Sequence, residues 1–218
     1  MHPIRGVLLD IDGTLVLSND AHAHAWVKAL GEHGITVTFA DVRRLIGMGG
    51  DKLLPTLCGL DAESEKGKQV SHRRAEIFLS EYLPNLRPTP GAEAFLQHLA
   101  ARDLPRAIAS SAKSKELKPL MKICGANRWV PMATSSDDAD NSKPDPDILH
   151  AALETLGLSP KDVVLIGDTP YDVEAARKAG ITVIAVRCGG WNDGELKADA
   201  VYDDPGHLLR EIKSSLLG

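Results

Sequence analysis

The stretch VLLDIDGTLVLS, residues 7–18, admits two readings. Two apolar runs around an Asp-Gly pair are a strong short-range signal for a β-hairpin, because Asp-Gly accepts the positive φ angles of a tight two-residue turn. The same residues also set Asp10 and Asp12 two apart at the end of a run that reads as a buried strand. The choice depends on what the remainder of the chain brings beside them.

Similar runs recur. Residues 6–10 (GVLLD), 105–110 (PRAIAS), 163–168 (VVLIGD) and 181–186 (ITVIAV) are rich in branched residues and stop at a turn. None alternates with period two, the pattern expected of strands covered on both faces in a parallel sheet. Helix-length segments lie between them, at 91–103, 113–125, 145–157 and 171–180, with Gly125, Gly157 and Gly180 where a helix C-cap is expected. Strands alternating with helices predict an α/β fold built on a doubly wound parallel sheet. Residues 16–86 break this rhythm with helical patterns at 19–34, 40–59 and 61–83 and no convincing strand. The proline-rich LPNLRPTPG at 83–91 marks the return to the sheet. The expected organisation is a core of residues 1–15 and 87–218, with a small helical domain of residues 16–86 inserted after the first strand.

Composition narrows the function. A chain of 218 residues, 43% hydrophobic and 25% charged, is long enough to bury a real core. The net charge is −5 and no basic block tracks a phosphate backbone, so nucleic acid is not an expected partner. Cys58, Cys124 and Cys188 lie far apart, in none of the paired spacings of a zinc site, and read as reduced thiols of a cytoplasmic protein. The opening MHPIRGVLLD meets an aspartate too early for a signal peptide, and no run approaches the roughly 18 apolar residues of a membrane span. An insert of this size can shield a site unaided, so a monomer or weak homodimer is expected.

In an open parallel sheet, ligands bind outside the carboxyl ends of the strands. Asp10, Ser110 and Asp168 each end a separate run and so converge on one edge. Two carboxylates brought together repel and call for a cation. Mg²⁺ characteristically takes one or two carboxylates together with phosphate oxygens and water. Beside such a metal a carboxylate can take a phosphoryl group covalently, which makes Asp10 the candidate nucleophile. Asp12, at the Asp-Gly turn, can swing above the strand end as general acid and then base. Ser110 can donate to the phosphoryl oxygens. Lys143, in NSKPDPD, can supply positive charge on a loop stiffened by Pro144 and Pro146.

Each signal alone has a plainer reading. Asp12-Gly13 suits an ordinary turn, Lys143 a solvated surface lysine, and Ser110 or its neighbour Ser111 a helix cap near Ser114. Ser110 is preferred over Ser111 because it closes the apolar run. Asp137, Asp138 and Asp140 read as acids of a solvated loop and are assigned no role.

Together the motifs resemble those of the haloacid dehalogenase superfamily. DIDGTL is similar to its first motif, the serine after AIA to its second, Lys143 before proline to its third, and IGDTPYD, with Asp168 and Asp172, to its fourth. They occur in order over the whole core, and the insert falls where that superfamily often places a helical cap. The resemblance implies a phosphoaspartyl intermediate on Asp10, with Mg²⁺ bound by Asp10, the backbone carbonyl of Asp12 and Asp168, and Asp172 supporting the metal waters or the lysine. It also implies a hairpin flap after the first turn.

The insert is expected to set the substrate. VRRLIGMGGD, residues 42–51, resembles a loop of bacterial phosphoglycolate phosphatases, and its glycines let backbone approach a ligand or simply break a helix. Arg44, Gly47, Gly49 and Gly50 are its candidate substrate residues. His22 matches by position a cap histidine of the β-phosphoglucomutase-like members, as Trp26 matches a nearby aromatic, and His22 is a candidate substrate or Asp12 contact. Gly50 stands where those mutases carry an arginine that holds a distal phosphate, although Arg43, Arg44 or Lys52 can substitute.

The expected activity is Mg²⁺-dependent hydrolysis of a small phosphate ester of the phosphoglycolate or sugar phosphate type. A sugar phosphate mutase is the alternative. A dehalogenase has no need of Asp12. A receiver-like signalling module also carries phosphate on a strand-end aspartate, but it lacks the insert and has no use for a second acid that hastens hydrolysis. A binding protein without catalysis on the same fold leaves the full motif set unexplained.

Overall fold

In the first strand, Val7 and Leu9 are fully buried in one hydrophobic cluster while Leu8, between them, is buried in another. Val164 and Ile166 likewise alternate with Val163 and Leu165, and Ile184 and Val186 with Val183. Successive side chains leave a strand on opposite faces, so both faces of this sheet are covered, and the runs show no polar alternation. Each leucine so buried contributes about 1.5–3 kcal/mol.

The computed structural model describes residues 3–218. Its strands are β1 (Gly6–Leu9), β2 (Arg106–Ala109), β3 (Met132–Thr134), β4 (Val163–Gly167), β5 (Thr182–Val186) and β6 (Ala200–Tyr202). They form one parallel sheet in the order β3-β2-β1-β4-β5-β6. The order reverses between β1 and β4, which opens a crevice at their carboxyl ends.

The insert between β1 and β2 contributes α1 (Asn19–Glu32), α2 (Phe39–Leu45), α3 (Gly50–Cys58) and α4 (Glu65–Ile77), the last continuing as a π-helical turn over Phe78–Tyr82. The core helices are α5 (Ala92–Ala101), α6 (Ser114–Ile123), the short α7 (Ala126–Trp129), α8 (Asp147–Leu156), α9 (Pro170–Ala179), the short α10 (Asp193–Leu196) and α11 (Pro205–Arg210). Helices α8 and α9 cover one face of the sheet through Ile148, Leu149, Ala152, Val173 and Ala176. On the other face Phe95, Leu96, Leu117 and Leu120 join a cluster that continues into the insert through Trp26, Leu30, Leu54 and Phe78. Among the described residues no helix is long and apolar enough to cross a membrane.

Several details depart from the sequence reading. The edge strands β3 and β6 were not anticipated; each is three residues long, and their residues are mostly half-buried or exposed. The pattern at 40–59 is two helices, because the chain leaves helical geometry at Ile46 (ψ 133°) and resumes after Gly49. Gly157 and Gly180 do cap α8 and α9, whereas Gly125 lies one residue beyond the cap of α6 and opens α7. The turn after β1 is not a contiguous hairpin; the antiparallel pairing there joins Val16 to Pro88, on the segment that returns from the insert. The amides of Leu15 and Val16 both donate to the Ile11 carbonyl, at 2.9 and 3.0 Å, closing a single compact turn.

The insert's two connections run side by side. Leu17 N–H donates to Arg87 O at 3.0 Å, and Thr89 N–H donates to Leu15 O at 2.9 Å.

Candidate active site

Asp10 follows β1 and Asp168 follows β4, the two strands that flank the reversal, and their registers place Leu9 against Ile166. Both aspartates are buried. The turn after Asp12 packs directly on Asp168. Gly13 has φ of 80°, and a Cβ there would stand 2.1 Å from an Asp168 carboxylate oxygen, so neither its backbone nor its surroundings tolerate a side chain.

One ammonium serves this buried acidic cluster. Lys143, on the loop before α8, donates from Nζ to Asp10 Oδ1 at 2.6 Å and to Asp172 Oδ1 at 2.7 Å. The other Asp172 oxygen accepts from the Thr169 amide at 3.0 Å and its hydroxyl at 2.6 Å, as the capping box of α9. Both Asp172 oxygens are therefore committed, one of them to holding the lysine. Asn19 donates to Asp168 Oδ2 at 2.7 Å, and the Thr14 hydroxyl lies 3.0 Å from Asp168 Oδ1 and 3.2 Å from Asp10 Oδ2.

Oxygens of Asp10, Asp168 and Asp172 lie within 4.8 Å of one another, a group of hard donors in buried surroundings. Three carboxylates against one ammonium leave excess negative charge. Burial, reinforced by the charges of Asp172 and Asp12 and only partly offset by Lys143, pushes the Asp10 carboxyl up to about 7. Burial, with the charges of Asp10 and Asp172, raises Asp168 well above the carboxylate range. Burial also works against the Lys143 charge, but Asp10 and Asp172 outweigh it and hold the ammonium above its ordinary range. The residues present fit a divalent cation, because oxygen donors with uncompensated charge are what such an ion neutralises.

Asp12 turns the other way, toward the insert. Its Oδ1 accepts from the Ser18 hydroxyl at 2.5 Å and lies 2.8 Å from His22 Nε2. Burial alone would raise this carboxyl, yet His22, Ser18 and the nearby Arg74 charge lower it below its usual value. His22 is buried, and its ring stacks on Phe78 at 3.9 Å. Phe78 is the first residue of the π-helical turn, a distortion frequent at functional sites.

A cavity of about 60 Å³ lies over these groups between core and insert. Asp10, Asp12 and Ser110 line it from the core, and His22, Gly47, Gly49 and Gly50 from the insert. Ser110 is buried at the end of β2, where its hydroxyl accepts from the Ala112 amide at 3.0 Å. Ser111 also lines the cavity, and its buried hydroxyl has no partner.

Arg44 departs from expectation. It is not among the lining residues; it lies over the Trp191 ring at 3.7 Å and pairs with Glu195 at 2.6 Å. Arg43 is held by Asp20 and the Gly189 carbonyl, and Lys52 by Asp145. All three basic side chains are thus spent on contacts away from the cavity. Sequence reasoning also missed Thr14, Asn19, Arg74 and Glu116. Thr14 follows the Asp-Gly turn and Asn19 opens α1, so their nearness to the motif was a usable signal.

Residues 7–186 match the haloacid dehalogenase-like hydrolase family. The chain belongs to the haloacid dehalogenase-like hydrolases. Within that family it is a phosphatase, with an aspartate cluster suited to metal. It is 30% identical over 210 residues to a phosphoglycolate phosphatase of Rhodospirillum rubrum, covering 92% of this chain and 87% of that one. An N-acetylmuramic acid 6-phosphate phosphatase of Pseudomonas putida is 27% identical over 220 residues, or 99% of each chain. Among solved structures, a hydrolase from Pseudomonas syringae superposes with a TM-score of 0.90 at 29% identity, covering 96% of this chain and 98% of that one.

Proposed function

We propose that this haloacid dehalogenase-like phosphatase hydrolyses a small phosphomonoester, of the phosphoglycolate or sugar phosphate type, through a phosphoaspartyl intermediate on Asp10. One observation carries the reading. At the sheet's reversal point, two members of a buried carboxylate triad, Asp10 and Asp172, share a single lysine, while a fourth carboxylate, Asp12, is held by the insert through His22.

Asp10 Oδ attacks phosphorus as the bond to the leaving oxygen breaks, and a proton carried on His22 Nε2 passes through the Asp12 carboxylate to that oxygen, Asp12 acting as the general acid. Asp12 then accepts a proton from water. The resulting hydroxide attacks phosphorus, the Asp10 ester bond breaks, and inorganic phosphate leaves with the Asp10 carboxylate restored. Ser110 donates to the phosphoryl oxygens, and Lys143, steadied by Asp172, adds positive charge to them. Asp10, Asp168 and the Asp12 carbonyl would hold Mg²⁺, which when bound neutralises phosphate charge. Residues 16–86 act as a cap over the core of 1–15 and 87–218, excluding bulk water and presenting His22.

Arg74 is the one lysine or arginine lining the cavity among the described residues. No second cationic anchor thus awaits a distal phosphate, which favours hydrolysis over the mutase alternative. The test is Mg²⁺-dependent phosphate release from 4-nitrophenyl phosphate. Asp10→Asn abolishes it and Asp12→Asn lowers it by about 10²–10⁴; undiminished turnover in Asp10→Asn refutes the nucleophile. Ranking phosphoglycolate, hexose phosphates and nucleotides by kcat/KM then identifies the ester.

A further inference from the structure

The cavity that Asp10 and Asp12 line also holds a charge pair that the hydrolytic steps do not use. Arg74 of α4 donates from Nη1 to Glu116 of α6 at 2.6 Å, joining insert to core across the cavity that both residues line. Glu116 is 2% exposed and Arg74 13%, so this is no surface ion pair. Arg74 Nε is buried without a partner, as is the hydroxyl of Ser111, which lines the same cavity. The guanidinium sits over Trp26 at 5.0 Å, and Trp26 lines the same space.

Such groups have a definite chemical preference. A hydroxyl both accepts and donates, so it can accept from the unpartnered Arg74 Nε–H and donate a hydrogen bond to the Glu116 carboxylate. A carboxylate only accepts, and here it would approach a cation already neutralised by a buried carboxylate, in a cavity that Asp10 and Asp12 also line. A site built to hydrogen-bond a hydroxyl rejects analogues that leave its buried polar groups unpaired.

We propose that the Arg74–Glu116 pair, with Ser111, is the leaving-group recognition site and selects phosphate esters of neutral, hydroxylated alcohols over esters of hydroxy acids. The inference rests on the phosphatase reading and chooses between the two substrate types left open there.

The experiment compares glycerol 3-phosphate with 3-phosphoglycerate, which share a three-carbon skeleton and differ in a hydroxymethyl against a carboxylate. The readout is the ratio of their kcat/KM values, which a general loss of activity or of folded protein does not move. The wild type favours glycerol 3-phosphate by at least about tenfold, the discrimination of one hydrogen bond to a charged group. Glu116→Gln frees the Arg74 charge and shifts the ratio toward 3-phosphoglycerate by at least a further order of magnitude. Arg74→Gln leaves Glu116 alone and moves the ratio the other way, which covers a Glu116 variant that does not fold. A wild-type preference for 3-phosphoglycerate, or a ratio that neither variant moves, overturns the proposal. Failure of the wild type on 4-nitrophenyl phosphate with Mg²⁺ would instead overturn the phosphatase reading itself.

Discussion

Lys143→Met removes the one ammonium that Asp10 and Asp172 share and replaces it with an apolar chain of similar length. Lys143 is 1% exposed, so no solvent takes over its role. Breaking a buried ion pair from one side costs about 3–5 kcal/mol, because the partner charge is left uncompensated. For 218 residues that is about 6–20 °C in Tm, at about 2–4 °C per kcal/mol. The assay is thermal unfolding by circular dichroism in EDTA at pH 8 and at pH 5, repeated with excess MgCl₂.

The pH arms have a fixed sign. The folded Asp10 carboxyl sits at about 7 against its usual 3.8, so the native state holds that proton more tightly than the unfolded chain does. Its contribution to stability is fully present below about pH 4 and is lost as pH rises through 7. The variant's penalty is therefore full at pH 8 and smaller at pH 5, where Asp10 takes up a proton in place of the lysine's charge. Excess Mg²⁺ raises Tm in both proteins at pH 8. An unchanged Tm in EDTA at pH 8, or a penalty larger at pH 5 than at pH 8, would refute the charge accounting of this site.

Three further outcomes follow from other contacts. His22→Ala removes the Asp12 partner and the ring stacked on Phe78 and lowers kcat by up to about 100-fold with little change in KM, while His22→Gln, which keeps a donor, retains more activity in the same steady-state assay. Gly47→Ala puts a Cβ 2.8 Å from Thr169 on a backbone with φ of 113°, and urea titration shows a loss of about 1–3 kcal/mol together with a raised KM. Arg74→Ala lowers kcat/KM for the physiological ester by at least about tenfold, whereas Arg44→Ala, whose side chain is spent on Trp191 and Glu195, changes it far less.

The central strands were legible because burial on both faces removes polar alternation, a property of the residues themselves. The edge strands β3 and β6 carry no such mark: Met132 is 38% exposed, and a three-residue run reads as loop. Asp10, Ser110 and Asp168 were legible from their position at strand ends. Arg74 and Glu116 were not. Each lies in a strongly polar helix, RRAE in one and KSKELK in the other, and reads as part of a solvated face until tertiary packing buries them against one another. Arg44 misled for the opposite reason, since adjacency to the glycine loop says nothing about which way a helical side chain points. The Asp12-Gly13 pair proved to be a turn, though not the hairpin that its composition favours; Gly13 is required by the closeness of Asp168.

The paired connections of the insert have a consequence for timing. Two adjacent chain segments tied by hydrogen bonds, Leu17 to Arg87 and Thr89 to Leu15, act as a single hinge rather than two loose tethers. Any displacement of the insert about them carries His22 and Arg74 away from the core together, parting the first from Asp12 and the second from Glu116. On the roles proposed above for Asp12 and Arg74, proton delivery and recognition of the alcohol are thereby interlocked. On those roles, a substrate that parts Arg74 from Glu116 by moving the insert also parts His22 from Asp12, which ties selectivity to turnover.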